Sequence, residues 1–269
     1  MRPASNIDGN SQRTAHITVR DLRLAYGGFE VLRDLNFTVK RGDIFLIMGV
    51  SGCGKSTLLN ALVGLKEPES GEIFYDSISF TVASPEKRRE MLQRFGVLYQ
   101  SGALWSSMTL SENIGLALGE FTDMTSQEIR EVAATKLALV GLRGFEDYYP
   151  NEVSGGMRTR AGLARAMALD PEILFCDEPT AGLDPISARL LEDLILEVRD
   201  NLGATIVMVT HELATVFAVG NDSVFLDIDS RTMIASGDPK RLLTECKDPR
   251  VHDFLTRGER NGHPVKGHD

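Results

Sequence analysis

An α/β fold with a mostly parallel sheet, an antiparallel β unit ahead of it and a helical subdomain inserted within it follows from three features of this sequence. Short continuous apolar runs recur at 44–48, 95–99, 172–176, 205–209 and 224–228, the pattern of strands buried on both faces. Helix-start signals stand between several of them, and strands alternating with helices imply a parallel sheet. Before Gly42 the pattern is different: apolar and polar residues alternate, as in half-buried antiparallel strands.

In chain order, residues 1–14 are polar and expected to be flexible. Alternation begins at Ile17 and Val19, continues through Leu22, Leu24 and Tyr26, turns at Gly27-Gly28 and resumes toward Phe37 and Val39. Ser84-Pro85 supplies an N-cap and N1 proline for a helix through about Arg94, and Asp184-Pro185 does the same for one ending near Gly203. Thr125 and Glu128 have capping-box spacing for a helix over about 126–140. Residues 100–160 lack buried-strand runs, so they form the inserted helical subdomain. The main domain then spans 15–246, leaving 247–269 as a polar tail with "DPRVHDFL" as its apolar-anchored piece.

Composition narrows the function. The chain has 29 basic and 38 acidic residues, a net charge of −9, and no basic run. An extended phosphate backbone favours the opposite balance, so no nucleic-acid partner is expected. No apolar run reaches the roughly 18 to 20 residues that span a bilayer, and the N-terminus lacks the apolar core of a secretion signal. Cys53, Cys176 and Cys246 are far apart and suit a reducing compartment.

Three motifs carry chemistry. "GVSGCGKST" fits G-x-x-x-x-G-K-[ST] between a strand and a helix-compatible run. Gly49, Ser51, Gly52, Cys53, Gly54, Lys55, Ser56 and Thr57 form its phosphate cradle: backbone N–H groups and a helix N-terminus face the anion, and Lys55 adds a full charge. Ser56 would ligate Mg²⁺ bridging the β- and γ-phosphates. "ILFCDEPTAGLD" ends a buried strand in two carboxylates, which plain core packing avoids. Asp177 is placed to hold Mg²⁺ through water, and Glu178 to polarise an attacking water. "VSGGMRTRAGLARAMAL" puts two glycines at a helix start, each costing about 0.8–1.0 kcal/mol against alanine in a helix interior. That makes sense where a ligand approaches closely, so Ser154, Gly155 and Gly156 form a second anion site. The plainer alternatives are a glycine-rich turn, a strand running into a solvated loop, and an N-cap with a hinge.

Together these motifs resemble the ATP-binding subunit of an ABC transporter, from about residue 16 to 245, on a P-loop NTPase (RecA-like) core. The resemblance implies an ATPase in which two copies pack head-to-tail, ATP lying between the P-loop of one and the "SGG" helix of the other. It implies that Tyr26 stacks on adenine, Gln100 contacts Mg²⁺ and the attacking water, and Glu178 is the catalytic carboxylate. Asp184 would reach across the dimer, and His211 would contact the γ-phosphate. Val153 and Met157 depart from the usual leucine and glutamine of the signature. Met157, "QSGALW", "VGLRG" and "DPRVHDFL" are similar to the Mla/Mce-type lipid transporters of the Gram-negative envelope. That similarity implies a separate membrane permease, an Mce-domain protein, a small STAS-domain accessory protein, and a peripheral position on the cytoplasmic side of the inner membrane. ABC ATPases for amino acids, metals or lipoproteins share the ATP motifs and stay open as alternatives, as does a soluble ABC-type ATPase outside transport. Trp105, the only tryptophan, sits in a loop of small polar residues. It either helps form an apolar cleft for a cytoplasmic helix of the permease or packs inward under the helical subdomain.

Overall fold

The computed structural model describes residues 14–256. The expectations for residues 1–13 and 257–269 lie outside the described residues. Two sheets organise the chain. The first is antiparallel, of four strands: β1 (Ala15–Tyr26), β2 (Phe29–Lys40), β4 (Ser70–Tyr75) and β5 (Ile78–Ser79), in the order β2-β1-β4-β5. The second has six strands: β3 (Ile44–Met48), β6 (Phe95–Leu98), β7 (Ile173–Asp177), β8 (Thr205–Val209), β9 (Asp222–Asp227) and β10 (Thr232–Ser236), in the order β10-β9-β3-β8-β7-β6. All its pairings are parallel except β10 with β9.

The continuous apolar runs have the anticipated cause. Alternate residues of one strand enter different cores: Ile44, Leu46 and Met48 join one cluster, Phe45 and Ile47 the other. The first cluster carries the helices of the insert, and the second seals the antiparallel sheet and α1 (Lys55–Leu62) against the parallel one.

Helix boundaries follow the local signals closely. Helix α2 (Pro85–Leu92) is capped by Ser84 and stops short of Arg94. Helix α4 (Ser126–Leu139) begins with the Thr125/Glu128 capping box. Helix α6 (Pro185–Leu202) runs from Asp184 to Gly203, whose φ of 67° ends it. Between β6 and β7 lie only helices: a 3-10 turn (Gln100–Gly102), α3 (Leu110–Phe121), α4, another 3-10 turn (Pro150–Glu152) and α5 (Gly155–Ala166). Strands β4, β5 and β10 went unnoticed in the sequence because they are short and polar-flanked; β4 gains its strand character by pairing with β1.

After α7 (Leu213–Val219) and α8 (Pro239–Glu245), the "DPRVHDFL" segment forms α9 (Pro249–Leu255). Val251 and Leu255 are buried in the first cluster, and Phe254 meets Phe225 edge-on at 5.1 Å. The chain up to Leu255 therefore packs on the main body.

Candidate active site

The P-loop leaves β3 and enters α1. Gly49 has φ 145°, and a Cβ there would collide with the Leu226 carbonyl; Gly54, φ 100°, is the N-cap of α1, and a Cβ there would lie 2.9 Å from the Leu32 side chain. No L-residue fits either position without strain. Lys55 is the first residue of α1; its buried Nζ donates to Gly49 O at 2.9 Å and Val50 O at 3.0 Å, closing the loop around the ammonium. The Cys53 N–H is used inside the turn, donating to Val50 O at 3.3 Å. Its thiol is buried, and burial pushes its pKa up, which suits a small space-filler. Ser51, Gly52 and Ser56 stand exposed on the outer side of the loop, with Thr57 half-buried behind them.

The end of β7, one strand removed from β3, supplies the acids. Ser56 Oγ donates to Asp177 Oδ1 at 3.5 Å. Burial, then the neighbouring Glu178 charge, raise the Asp177 pKa, against the pull of Ser56 and Lys55. Glu178 sits in the left-handed region at φ 47°, where a non-glycine residue costs of order 1–3 kcal/mol. Its N–H donates to Val209 O of the neighbouring strand at 2.9 Å, fixing that backbone. Its Oε1 accepts from His211 Nδ1 at 2.8 Å, which makes Nδ1 the protonated nitrogen of that contact. Its Oε2 is buried with no hydrogen-bond partner. An orphaned carboxylate oxygen beside a phosphate loop is ready to accept from a ligand or water.

Gln100, Glu178, His211, Lys55 and the Gly49–Ser51 backbone line one cavity of about 590 Å³. Asp253 and Phe254 of α9, within the "DPRVHDFL" segment, line it too, a contribution not assigned to them from the sequence. Tyr26 stands apart from that cavity, half-exposed at the tip of the β1–β2 hairpin.

Ser154 caps α5 by accepting from Met157 N at 3.2 Å. Around Gly155 a Cβ would meet only the Arg158 guanidinium, at 3.7 Å, so this position is open to a ligand. Gly156 has an internal reason as well: a Cβ would meet Ser187 Oγ of α6 at 2.7 Å. Asp184 is engaged within the chain as the cap of α6, accepting from Ile186 N and Ser187 N, both at 3.0 Å. None of these residues lines the cavity that holds Lys55 and Glu178. Val153 is buried in the core with Met157 packed against it, so both departures from the family pattern face inward.

Three residues that tie the insert to the loop holding Gln100 escaped sequence reasoning. Gly162 of α5 lies so close to the Gln100 turn that a Cβ would be 2.6 Å from Gly102 Cα. Arg165 donates to Ala103 O at 2.7 Å and Gly102 O at 3.0 Å. Buried Asn113 accepts from Trp105 N at 2.7 Å and donates to the carbonyls of Trp105, Met108 and Thr109. The loop is thus held from below, while the Trp105 side chain is 63% exposed. Trp105, Tyr99, Leu116 and Leu169 line an open groove of about 470 Å³ beside β6. Only "glycine at helical spacing facing glycine" could have been read in advance, and only with the fold known.

A phosphate loop, a half-buried carboxylate pair at the end of β7 and a histidine locked to one of them define a P-loop ATPase. A family model described as "ABC transporter" matches residues 32–181. This chain belongs to the ABC transporter family, as an ATP-binding subunit that hydrolyses ATP. Among its relatives, the probable ribonucleotide transport ATP-binding protein mkl of Mycobacterium tuberculosis is 40% identical over 246 residues, 91% of this chain and 67% of the relative. The intermembrane phospholipid transport system ATP-binding protein MlaF of Haemophilus influenzae is 39% identical over 250 residues, 93% of each chain. MlaF of Escherichia coli is 36% identical over 239 residues, 89% of this chain and 88% of the relative. A solved dimeric ATP-binding cassette, in a post-hydrolysis state with ADP and Pi, superposes with a TM-score of 0.73 at 28% identity, covering 82% of this chain and 98% of that one. Another, cbiO1 of a Clostridium perfringens ABC transporter complex, gives 0.78 at 27% identity, covering 86% and 92%.

Proposed function

We propose that this chain is the ATP-driven motor of a lipid transporter in a Gram-negative envelope, acting on the cytoplasmic side of the inner membrane through a separate permease. Among the described residues no helix is long and apolar enough to cross a membrane; in this reading the energy is delivered to the permease. The observation that carries the reading is the exposed Trp105 beside an open groove, on a loop tied through Gly102, Gly162 and Arg165 to the turn holding Gln100. A permease helix seated there would feel whatever happens at the γ-phosphate.

Two copies packed head-to-tail would complete the site, because Ser154–Gly156 lie outside the cavity of their own P-loop. The hard oxygen donors Ser56 and Asp177 fit Mg²⁺, which would neutralise charge on the β- and γ-phosphates, and Gln100 lines the cavity shared by their chain neighbours Lys55 and Glu178. Lys55 and the P-loop N–H groups bind and orient the triphosphate. Glu178 Oε2 accepts a hydrogen bond from the attacking water, whose oxygen takes the γ-phosphoryl group as ADP leaves. His211 holds Glu178 in that pose through Oε1. Asp184 and the signature residues of the second copy would close the site.

The lipid substrate rests on the names of the MlaF relatives, matched over nearly their whole length. The mkl relative, named for ribonucleotide transport, favours a second reading in which the cargo is a nucleotide. Affinity purification from detergent-solubilised membranes separates them. Co-purification of a permease with an Mce-domain protein, with or without a small STAS-domain protein, supports lipid transport; a solute-binding protein in its place sinks it.

A further inference from the structure

At the tip of the first hairpin, Tyr26 and Phe29 pair directly across the Gly27-Gly28 turn, and both rings are more than half exposed. Each is covered by a cation from a distant segment. The Arg231 guanidinium, from the β9–β10 turn, lies 4.8 Å from the Phe29 ring centroid. It also donates to Glu30 O at 3.0 Å, while Arg33 N donates to Arg231 O at 2.8 Å, so this side of the tip is fixed in place. Over Tyr26 stands Lys66, its Nζ 4.6 Å from the ring centroid.

Lys66 is delivered by the phosphate-binding helix. The N–H groups of Leu65 and Lys66 both donate to Asn60 O, at 2.8 and 3.1 Å, tying this segment back onto α1. The neighbouring carboxylate, Glu67, is taken by Arg88. The first residue of α1 therefore presents Lys55 to phosphate, while the segment fastened behind it presents Lys66 to the hairpin aromatic.

We propose that Lys66 is a base-side positioning residue of the nucleotide site: its ammonium takes one face of the Tyr26 ring and holds it so that the other face receives the purine. This rests on the reading of Tyr26 as the adenine platform. The cation is attracted to the negative face of the ring, and a ring ordered before the ligand arrives loses less freedom on binding. Because Lys66 acts on the base and not on the phosphates, its loss should weaken ATP while sparing a ligand that has no base.

The experiment measures ATP hydrolysis by the assembled transporter, with inorganic tripolyphosphate as a competitive inhibitor. Lys66→Met keeps the length of the side chain and removes the charge. It is expected to raise KM for ATP by about two- to five-fold, the size of one exposed cation–π contact. It should leave kcat and the tripolyphosphate inhibition constant close to wild type, and Lys66→Arg should restore KM. Tyr26→Ala serves as the reference. If Tyr26→Ala raises KM and Lys66→Met does not, the inference fails while the platform reading stands. If neither moves KM, the platform reading fails and takes the inference with it. Equal weakening of ATP and tripolyphosphate by Lys66→Met would mean damage to α1, and would also overturn the proposal.

Discussion

At the scale of single residues, the site is organised by one carboxylate held in an unfavourable backbone conformation. Glu178 spends one oxygen on His211 and keeps the other without a partner in the nucleotide cavity. Glu178→Gln preserves shape and the contact to His211 but cannot act as a base. We expect ATP binding to persist and turnover of the assembled complex to fall by roughly 10²–10⁴-fold; hydrolysis at the wild-type rate would remove Glu178 from that role. A second residue, far from the site, sets an acid limit on stability. His16 is buried, shares a hydrogen bond of 2.6 Å between Nδ1 and the Thr205 hydroxyl, and has its pKa lowered to about 4, first by burial and then by Arg41. The unfolded chain, with an ordinary histidine near 6.5, binds the proton more readily, so stability is complete above that value and declines as pH falls toward 4. Unfolding free energies from urea titrations at pH 7.5 and 5 should differ by about 1–2 kcal/mol, and His16→Gln should flatten that difference. An unchanged slope in the variant would assign the acid sensitivity elsewhere. The phosphate loop and the acidic strand end were legible in the sequence because each is a local statement: residue types in consecutive positions dictate the geometry. The buried state of His16 was not legible, since it depends on Thr205, 189 residues away.

Among elements, the decisive contact is between α5 and the Gln100 turn. Helix and turn meet glycine to glycine, with Arg165 bonding the Gly102 and Ala103 carbonyls beside the contact. A methyl group on Gly162 would strike Gly102 backbone, which cannot swing aside as a side chain can. Gly162→Ala should therefore cost about 1–3 kcal/mol, seen as a lowered Tm, and reduce ATPase activity in the complex more than ATP affinity of the free subunit. Unchanged Tm and activity would show that the two elements move independently. Capped helices such as α4 and α6 were readable to within a residue or so, because Thr125-x-x-Glu128 and Asp184-Pro185 satisfy the helix ends from nearby side chains. The docking of α9 was not, because the slot that receives Val251 and Leu255 is built from remote segments. For the same reason the share of Gly156 owed to Ser187 appears only in the packed structure.

At the scale of the whole molecule, the insert joins the nucleotide cavity to the groove under Trp105. An exposed side chain contributes little to the fold of the chain that bears it, whereas buried aromatic anchors dominate interfaces. Trp105→Ala should accordingly leave Tm and ATP affinity near wild type, yet weaken co-purification with the permease and uncouple transport from hydrolysis. A large drop in Tm with transport still coupled would return this residue to the core. The motifs in the sequence point to an anion site at each of two places; they left open which side the tryptophan faced, because a loop residue has no periodicity to orient it. The structure turns it outward, on a loop pinned by Asn113. As the only tryptophan of the chain, it is also the only indole fluorophore. The subunit thus carries its own optical label at the mouth of the groove, one whose emission colour tracks the wetness of the surroundings. Docking can be followed with the natural side chains alone, without attaching a dye.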